Sequence, residues 1–283
     1  MASKKIVLFD NPQKPIEIEY SNNDTYFGDT AVKIYDDYKI SIALTDDCGA
    51  VIGDKVFFPK RGDMMIFRPN EIHFGRFLKS DKYSYISFLI PINFFDNFCG
   101  DNHSIIAAFL DTSDDKINLI RPKGEYRNKL IDLAQDLLYM MENNRECFDV
   151  VAFAKLIEAL NICNHFYRTQ KASPCPDITQ PIVTKVMQNI DKNFPDFAGL
   201  HSLAEQCGCS VTHLTQTFRH YTGKSVHSYL TERRLEYARR LLQDGTSVTE
   251  ACYQSGFSDC SGFIVLFKKH FNITPGKYKK RWE

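Results

Sequence analysis

Long hydrophobic runs are missing from this 283-residue chain: no apolar stretch approaches 18 residues, so no membrane-spanning helix is expected. Net charge is missing too, with 35 basic residues against 35 acidic ones. The nine cysteines contain no C-x-x-C pair and no zinc-ligand spacing, which argues against a zinc finger or a thioredoxin-like redox motif. Cys207-x-Cys209 comes nearest and reads as two small core or turn residues. The opening "MASKKIVLFDNP" holds a run of only four apolar residues before Asp10, too short for a signal-peptide core. An odd number of cysteines without an export signal reads as reduced thiols in a cytoplasmic protein. Low-complexity tracts are absent, and 43% apolar with 25% charged residues is a globular balance with enough length for two domains.

Catalytic constellations are lacking as well. "TGKS" (Thr222–Ser225) resembles the end of a phosphate loop, but that loop needs a glycine five residues before Gly223, and Phe218 stands there. Glu71-x-His73 offers a single histidine where a metal-binding barrel takes a His-x-His pair and further ligands. The acidic pairs Asp36-Asp37, Asp46-Asp47 and Asp114-Asp115 fall in turn-like segments, where solvation accounts for them. No Ser/His/Asp or Cys/His arrangement stands out. The expectation is a non-enzyme without metal or cofactor.

What is present changes character along the chain. Residues 1–103 read as short strands broken by the turn clusters "DDCG", "KRGD" and "RPNE", the pattern of a sandwich or small barrel. Residues 104–168 read as a helical hairpin. Leu130, Leu133, Leu137 and Met140/Met141 share one stripe, and Val150, Phe153, Ile157 and Leu160 share another. These stripes pack on the β region or form a dimer contact. Residues 169–179 read as a linker, within the polar, proline-containing "RTQKASPCPDITQP". Residues 180–283 are helical in pattern throughout. From Asp177 onward the chain carries 14 basic and 10 acidic residues and five of its eight histidines, so a neutral average hides a mildly basic tail.

The tail says nearly the same thing twice. Leu200, Leu203 and Gly208 match Val248, Ala251 and Gly256 at an offset of 48, while Leu214, Phe218, Ser225 and Tyr229 match Phe263, Phe267, Thr274 and Tyr278 at 49. One extra residue falls in the turn, where insertion is cheapest. Each copy is a short helix, a glycine-containing turn and a second helix. Ser247-x-x-Glu250 is a capping box, Ser210 and Asp259 stand where the second helices need caps, and Gly199 is a weaker start. A helical wheel on the second helix of the first copy buries Leu214, Phe218 and Tyr221 and leaves Thr212, Thr215, Gln216 and Arg219 outside. Such a face suits the major groove: glutamine reads adenine, threonine methyls touch thymine, and an edge arginine holds phosphate. In the second copy Ser261, Ile264, Val265 and Lys268 face out, so apolar contact and phosphate anchoring by Lys268 and Lys269 are expected there. Between the copies "SVHSYLTERRLEYARRLLQDG" reads as one helix of roughly 28 Å at 1.5 Å per residue, near the roughly 34 Å pitch of B-DNA. Its Arg233, Arg234, Arg239 and Arg240 either reach phosphates or pair with Glu232 and Glu236.

On these residues the tail resembles the DNA-binding domain of the AraC/XylS family of transcriptional regulators. The stretches "LAEQCGCSVTHLTQTFRHYTGKS" and "ACYQSGFSDCSGFIVLFKKHFNITPGKY" carry the resemblance over roughly the last hundred residues. "GDMMIFRPNEIH" resembles, more weakly, a strand-turn motif of that family's cupin-like effector domain. The resemblance implies an α+β fold: a cupin-like β barrel (1–103) with a helical hairpin (104–168), a linker (169–179), and an all-α domain of two helix-turn-helix units joined by a long helix (180–283). It implies double-stranded DNA as partner, with base-facing positions at Thr212, Thr215, Gln216, Cys260, Ser261 and Val265, and phosphate contacts at Arg219, Lys224, Lys268 and Lys269. An arginine is common in the family where this chain has Val265, and a large residue where it has Gly262. A small-molecule effector such as a sugar, a homodimer through the hairpin, and contact with RNA polymerase are further implied. Tyr20, Phe27, Arg68 and His73 are the effector-site candidates. The rival classes are a cupin enzyme with a helical appendage, which turnover or bound metal would reveal, and an architectural DNA binder of low specificity.

Overall fold

The computed structural model describes residues 4–8, 15–23, 32–46, 48–53, 55–77, 83–95, 103–113, 116–143, 146–172 and 181–281. It separates into two compact units, Met1–Asp29 with Ile34–Ile52 and Phe57–Asp177, and Thr30–Lys33 with Gly53–Val56 and Ile178–Glu283. The fold is mixed sheet and helix. No described helix is long and apolar enough to cross a membrane.

In the first unit, strands β1 (Lys4–Leu8), β2 (Ile16–Asn23), β3 (Tyr38–Ala43), β6 (Met64–Phe67), β8 (Tyr83–Ile90) and β9 (Leu119–Ile120) form one sheet in the order β1-β2-β8-β3-β6-β9. Strands β4 (Cys48–Ile52), β5 (Lys55–Phe57) and β7 (His73–Phe77) form a second sheet in the order β5-β4-β7. Among the described residues the strands close no barrel. The expected barrel is therefore corrected to two open sheets, the larger ending at β1 on one edge and at β9 on the other.

The period-2 alternation of a strand lets each side of the larger sheet take a different partner. Ile18, Tyr38, Ile40, Ile42, Ile66, Ile86 and Phe88 point to a helical layer and make one core with it. That layer is a 3-10 turn (His103–Ile106), the short helix α1 (Ala107–Leu110), and the long helices α2 (Glu125–Asn143) and α3 (Phe148–Ala172). Met65, Phe67 and Leu119 point the other way and pack with Ala50, Ile52 and Phe57 of the second sheet. All six residues of β3 are buried because both of its faces are covered.

Helix α2 buries the expected Leu130, Leu133, Leu137, Met140 and Met141. Helix α3 is rotated from the expected stripe. Val150 is 63% exposed, Phe153 and Ile157 are half-buried, and Ala152, Leu156, Ala159, Leu160 and Cys163 form the inner line. Two alanines on that line let the helix lie close to the sheet. Burial pushes the Cys163 thiol up to about 12, so it is a packing group rather than a nucleophile. Helix α3 also continues to Ala172, past the expected hairpin limit of 168, and most of the expected linker lies outside the described residues.

Arg68 ties sheet to helices. It is 5% exposed, and its Nη2 donates to the carbonyls of Ala108 (2.7 Å) and Ile117 (3.1 Å) and lies 3.5 Å from the Tyr167 hydroxyl. Its Nη1 lies 3.6 Å from Glu71, whose carboxylate also accepts from the Arg68 amide and from Asn118 Nδ2. A buried cation that loses its anchors is costly, and so is an anchor that loses its cation. Arg68→Ala is therefore expected to destabilise the chain by about 3 kcal/mol, measured as a shift in the urea midpoint at unchanged m value. A wild-type midpoint would show that this network carries no stability.

Candidate nucleic-acid interface

The second unit contains α4 (Pro181–Asn193), α5 (Leu200–Cys207), α6 (Val211–Thr222), α7 (Val226–Gln243), α8 (Val248–Gln254), α9 (Cys260–Phe271) and α10 (Pro275–Lys279). The duplication seen in the sequence is geometric. Helices α6 and α9 are each twelve residues long, and their caps fall at equivalent positions. Ser210 Oγ accepts from the His213 amide at 3.2 Å. The Asp259 carboxylate accepts from Ser261 (3.0 Å) and Gly262 (2.7 Å). Helix α8 opens with the complete Ser247/Glu250 capping box, and those hydrogen bonds hold the Glu250 carboxyl below its ordinary range. Gly199 starts α5 without a side-chain cap.

Each second helix is held from beneath by the same aromatic pair. Phe218 meets Tyr229 and Phe267 meets Tyr278, both with ring centroids 5.8 Å apart and edge-on. The Tyr229 hydroxyl reaches Asp191 (3.3 Å), and Tyr278 accepts from Arg239 (3.3 Å). Burial, first of all, raises Tyr229 well above the ordinary phenol value, so it stays neutral.

These anchors leave one side of each helix free. On α6, Thr212, His213, Gln216, Arg219 and His220 are exposed while Leu214 and Phe218 are fully buried. Thr215 is half-buried and its hydroxyl donates back to the Val211 carbonyl at 2.9 Å, so what it offers outward is a methyl group and acceptor lone pairs. On α9, Ser261, Lys268 and Lys269 are exposed, Val265 is 66% exposed, Ile264 38%, and Cys260 is half-buried. His213 was missed by the sequence reading. It sits three residues before Gln216, a spacing that places the two on neighbouring positions of one face.

Other expected contacts are corrected. Lys224 is 7% exposed, and its ammonium lies 2.6 and 2.9 Å from the two Glu232 oxygens, so it is engaged inside the unit rather than offered to phosphate. The arginines of α7 turn inward. Arg233 binds Asp191 at 2.7 Å over the Phe194 ring and Arg234 donates to the carbonyls of Phe194 and Pro195, while Arg239 binds Glu236, the pairing expected as the alternative to phosphate. Of the effector-site candidates, Tyr20 lies in the core beneath the helical layer and Arg68 is the sheet-to-helix tie, so neither faces the second sheet. Phe27 lies outside the described residues. His73 stands on β7 with its ring 4.4 Å from that of Phe67. No cluster of three or more metal-ligating side chains occurs among the described residues.

Two capped, repeated helix-turn-helix units, with an exposed polar face on α6 and an exposed mixed face on α9, define a tandem DNA-binding module. A helix-turn-helix domain family model matches residues 203–281. The chain is 31% identical over 103 residues to an HTH-type transcriptional regulator in the cgkA 5′ region of Pseudoalteromonas carrageenovora, covering 36% of this chain and 61% of that protein. It is 24% identical over 237 residues to the HTH-type transcriptional activator RhaR of Enterobacter sp. (strain 638), covering 82% of this chain and 80% of that one. A solved structure of a transcriptional regulator with an AraC-type DNA-binding domain from Chromobacterium violaceum is 30% identical, covering 36% of this chain and 93% of that one, at a TM-score of 0.35. The match thus spans about three fifths of the first of these regulators. The chain belongs to the AraC-type helix-turn-helix transcriptional regulators.

The turn glycines test how differently the copies tolerate change. Gly208 (φ 66°) and Gly256 (φ 85°) are both left-handed, but a Cβ at Gly208 would meet nothing within 4 Å. At Gly256 it would meet the Pro195 carbonyl oxygen at 2.4 Å and Arg234 Nε at 2.9 Å. Gly208→Ala is expected to cost about 1–2 kcal/mol, the backbone strain alone. Gly256→Ala adds a backbone collision and is expected to cost more than about 3 kcal/mol. Thermal melts of the two variants side by side check the ranking, and equal shifts would refute it.

Proposed function

We propose that this chain is a cytoplasmic, sequence-specific transcription regulator that seats α6 and α9 in successive major grooves of double-stranded DNA. The observation that carries the reading is the separation of duties on these helices: Leu214, Phe218, Phe263 and Phe267 hold them, while Thr212, Gln216, Arg219, Ser261, Val265, Lys268 and Lys269 are exposed and Cys260 of the outward set also packs on the core. Helix α7, 18 residues long, spans about 27 Å and sets the copies apart by nearly one turn of B-DNA. In α6, Gln216 has the amide for adenine, Thr212 and His213 flank it, and Arg219 takes phosphate. In α9, Val265 and Ile264 present methyl groups, Ser261 and Cys260 stand nearer its start, and Lys268 and Lys269 anchor the backbone. The first unit, with its cupin-like pair of sheets, is read as the part that senses a small metabolite. Tyr139 and Val150, more than half exposed on the hairpin, are read as part of a homodimer contact. RNA polymerase is a further partner of the assembled complex.

Selection of bound sequences from a random DNA pool tests this, run with wild type and Gln216→Ala at several salt concentrations. The expected result is a motif covering two adjacent major-groove segments, blurred at one position by the substitution. Because Gln216 is exposed, its loss should leave stability within about 0.5 kcal/mol of wild type. Replacing thymine by uracil under α9 removes only methyl groups and should weaken binding about fourfold per methyl touched, an effect absent in Val265→Ala. Binding that falls with salt but ignores sequence would make the module a nonspecific clamp.

A further inference from the structure

The face of the larger sheet turned toward the second sheet is only partly apolar. Beside Met65, Phe67 and Leu119 it carries Glu19, Ser21, Lys39, Ser41 and Ser87, on three neighbouring strands. The register sets Glu19 against Ser87, Ser87 against Ser41, and Lys39 against Phe67. Ser21, Ser41 and Ser87 are each 5% exposed or less, and Lys39 is 4% exposed. Nothing in the helical layer uses them, because the helices take the opposite side of these strands.

Lys39 is the unusual member. A buried ammonium needs an anion and partners for its three N–H donors. Among the described residues its one carboxylate partner, Glu19, stands 3.5 Å away, at the outer limit of a hydrogen bond, and is itself about one-third exposed. The remaining surroundings are rings: Tyr35 at 5.1 Å, Tyr85 at 5.2 Å and Phe67 at 5.8 Å. The His73 ring lies tilted against this cluster, 4.4 Å from Phe67 and 5.2 Å from Tyr35. Among the described residues, the hydroxyls of Ser21, Ser41 and Ser87 make no side-chain hydrogen bond with one another or with a neighbour. One cation with an incomplete set of partners, three spare hydroxyls and aromatic walls lie together on one face.

We propose that this face binds an organic anion, a small molecule whose carboxylate or phosphate oxygen sits on Lys39 Nζ and whose apolar body lies against Tyr35, Phe67 and Tyr85. An anion supplies the short charge-assisted bond that Glu19 at 3.5 Å does not, and the rings accept the rest of the ligand. A neutral sugar would offer the ammonium hydroxyl acceptors but no counter-charge. The proposal rests on reading the first unit as the sensing part and assigns that part an acidic ligand class. Glu19 then acts as a stand-in counter-ion that the ligand displaces.

Benzoate and phenyl phosphate are the probes, with benzamide as the neutral match, titrated into the full-length chain and followed by calorimetry and thermal midpoint. The expected result is that an acid binds and raises the midpoint while benzamide does not. Lys39→Met should weaken that binding by about tenfold or more. Glu19→Gln, which removes the competitor and keeps the shape, should tighten it, and this variant carries the test if Lys39→Met fails to fold. The relative strength of the two probes tells a carboxylate site from a phosphate site. Equal responses to acid and amide, no response to either acid, or unchanged affinity in both variants would overturn the proposal. DNA affinity measured in parallel keeps the readings apart: acid binding through Lys39 that leaves DNA affinity unchanged preserves the anion site and removes its sensing role.

Discussion

A single helix has to be the interior of two units at once, and the arrangement of the DNA-binding module follows from how α7 meets that demand. Tyr229 near its start lies under the first copy, while Leu235, Ala238 and Leu242 further along join Ala251, Cys252, Phe263 and Phe267 in the core of the second. A helix wrapped this fully has little room for charge, yet it carries four arginines. Three of them are tolerated because they meet partners inside the unit: Arg233 the Asp191 carboxylate, Arg239 the Glu236 carboxylate, and Arg234 two backbone carbonyls. Burial lowers Arg234 from the ordinary guanidinium value, the direction that desolvation of a cation gives. The loop after α4, from Phe194 to Pro195, is thereby fixed to α7, and Gly256 is fixed against that loop.

Much of this was legible in the residue order, for a physical reason. Repetition at a constant offset, N-caps, and the apolar positions beneath α6 and α9 are local properties, and local properties are what a sequence displays. The same reasoning failed for Lys224, Arg233 and Arg234, whereas Arg239 makes the Glu236 pair its spacing allowed. A long cationic side chain reaches water or a carboxylate with equal ease, and the choice depends on which residues the fold brings near. Glu232 lies eight residues from Lys224, and Asp191 lies 42 residues from Arg233. In the first unit the strands were legible but their partners were not. Arg68 follows a strand in the residue order as naturally as His73 begins one, yet Arg68 serves the helices while His73 packs against Phe67 of the larger sheet. For α3, both candidate stripes are apolar, and the alanines that allow close approach to the sheet decided between them.

Side-chain alternation also explains why the first unit holds two kinds of interior. Ile40 and Ile42 go to the helical layer, where apolar burial stabilises the unit, while Lys39 and Ser41 on the same strand go to the space between the sheets. A one-residue slip of β3 would exchange these sets and put an ammonium beneath the helices. Register is therefore strongly fixed in this strand, and the polar face comes with it.

The two N-caps differ in one respect that packing does not reveal. Ser210 leaves the first turn of α6 with the positive end of its helix dipole uncompensated, whereas Asp259 places a carboxylate on the equivalent end of α9. A phosphate group approaching the start of α6 meets bare amides, and one approaching the start of α9 meets a like charge. Lys268, Lys269 and His270 sit at the opposite end of α9. The duplicated scaffold thus has unlike polarity toward a polyanion: the first copy can hold it from either end of its helix, and the second only from its tail.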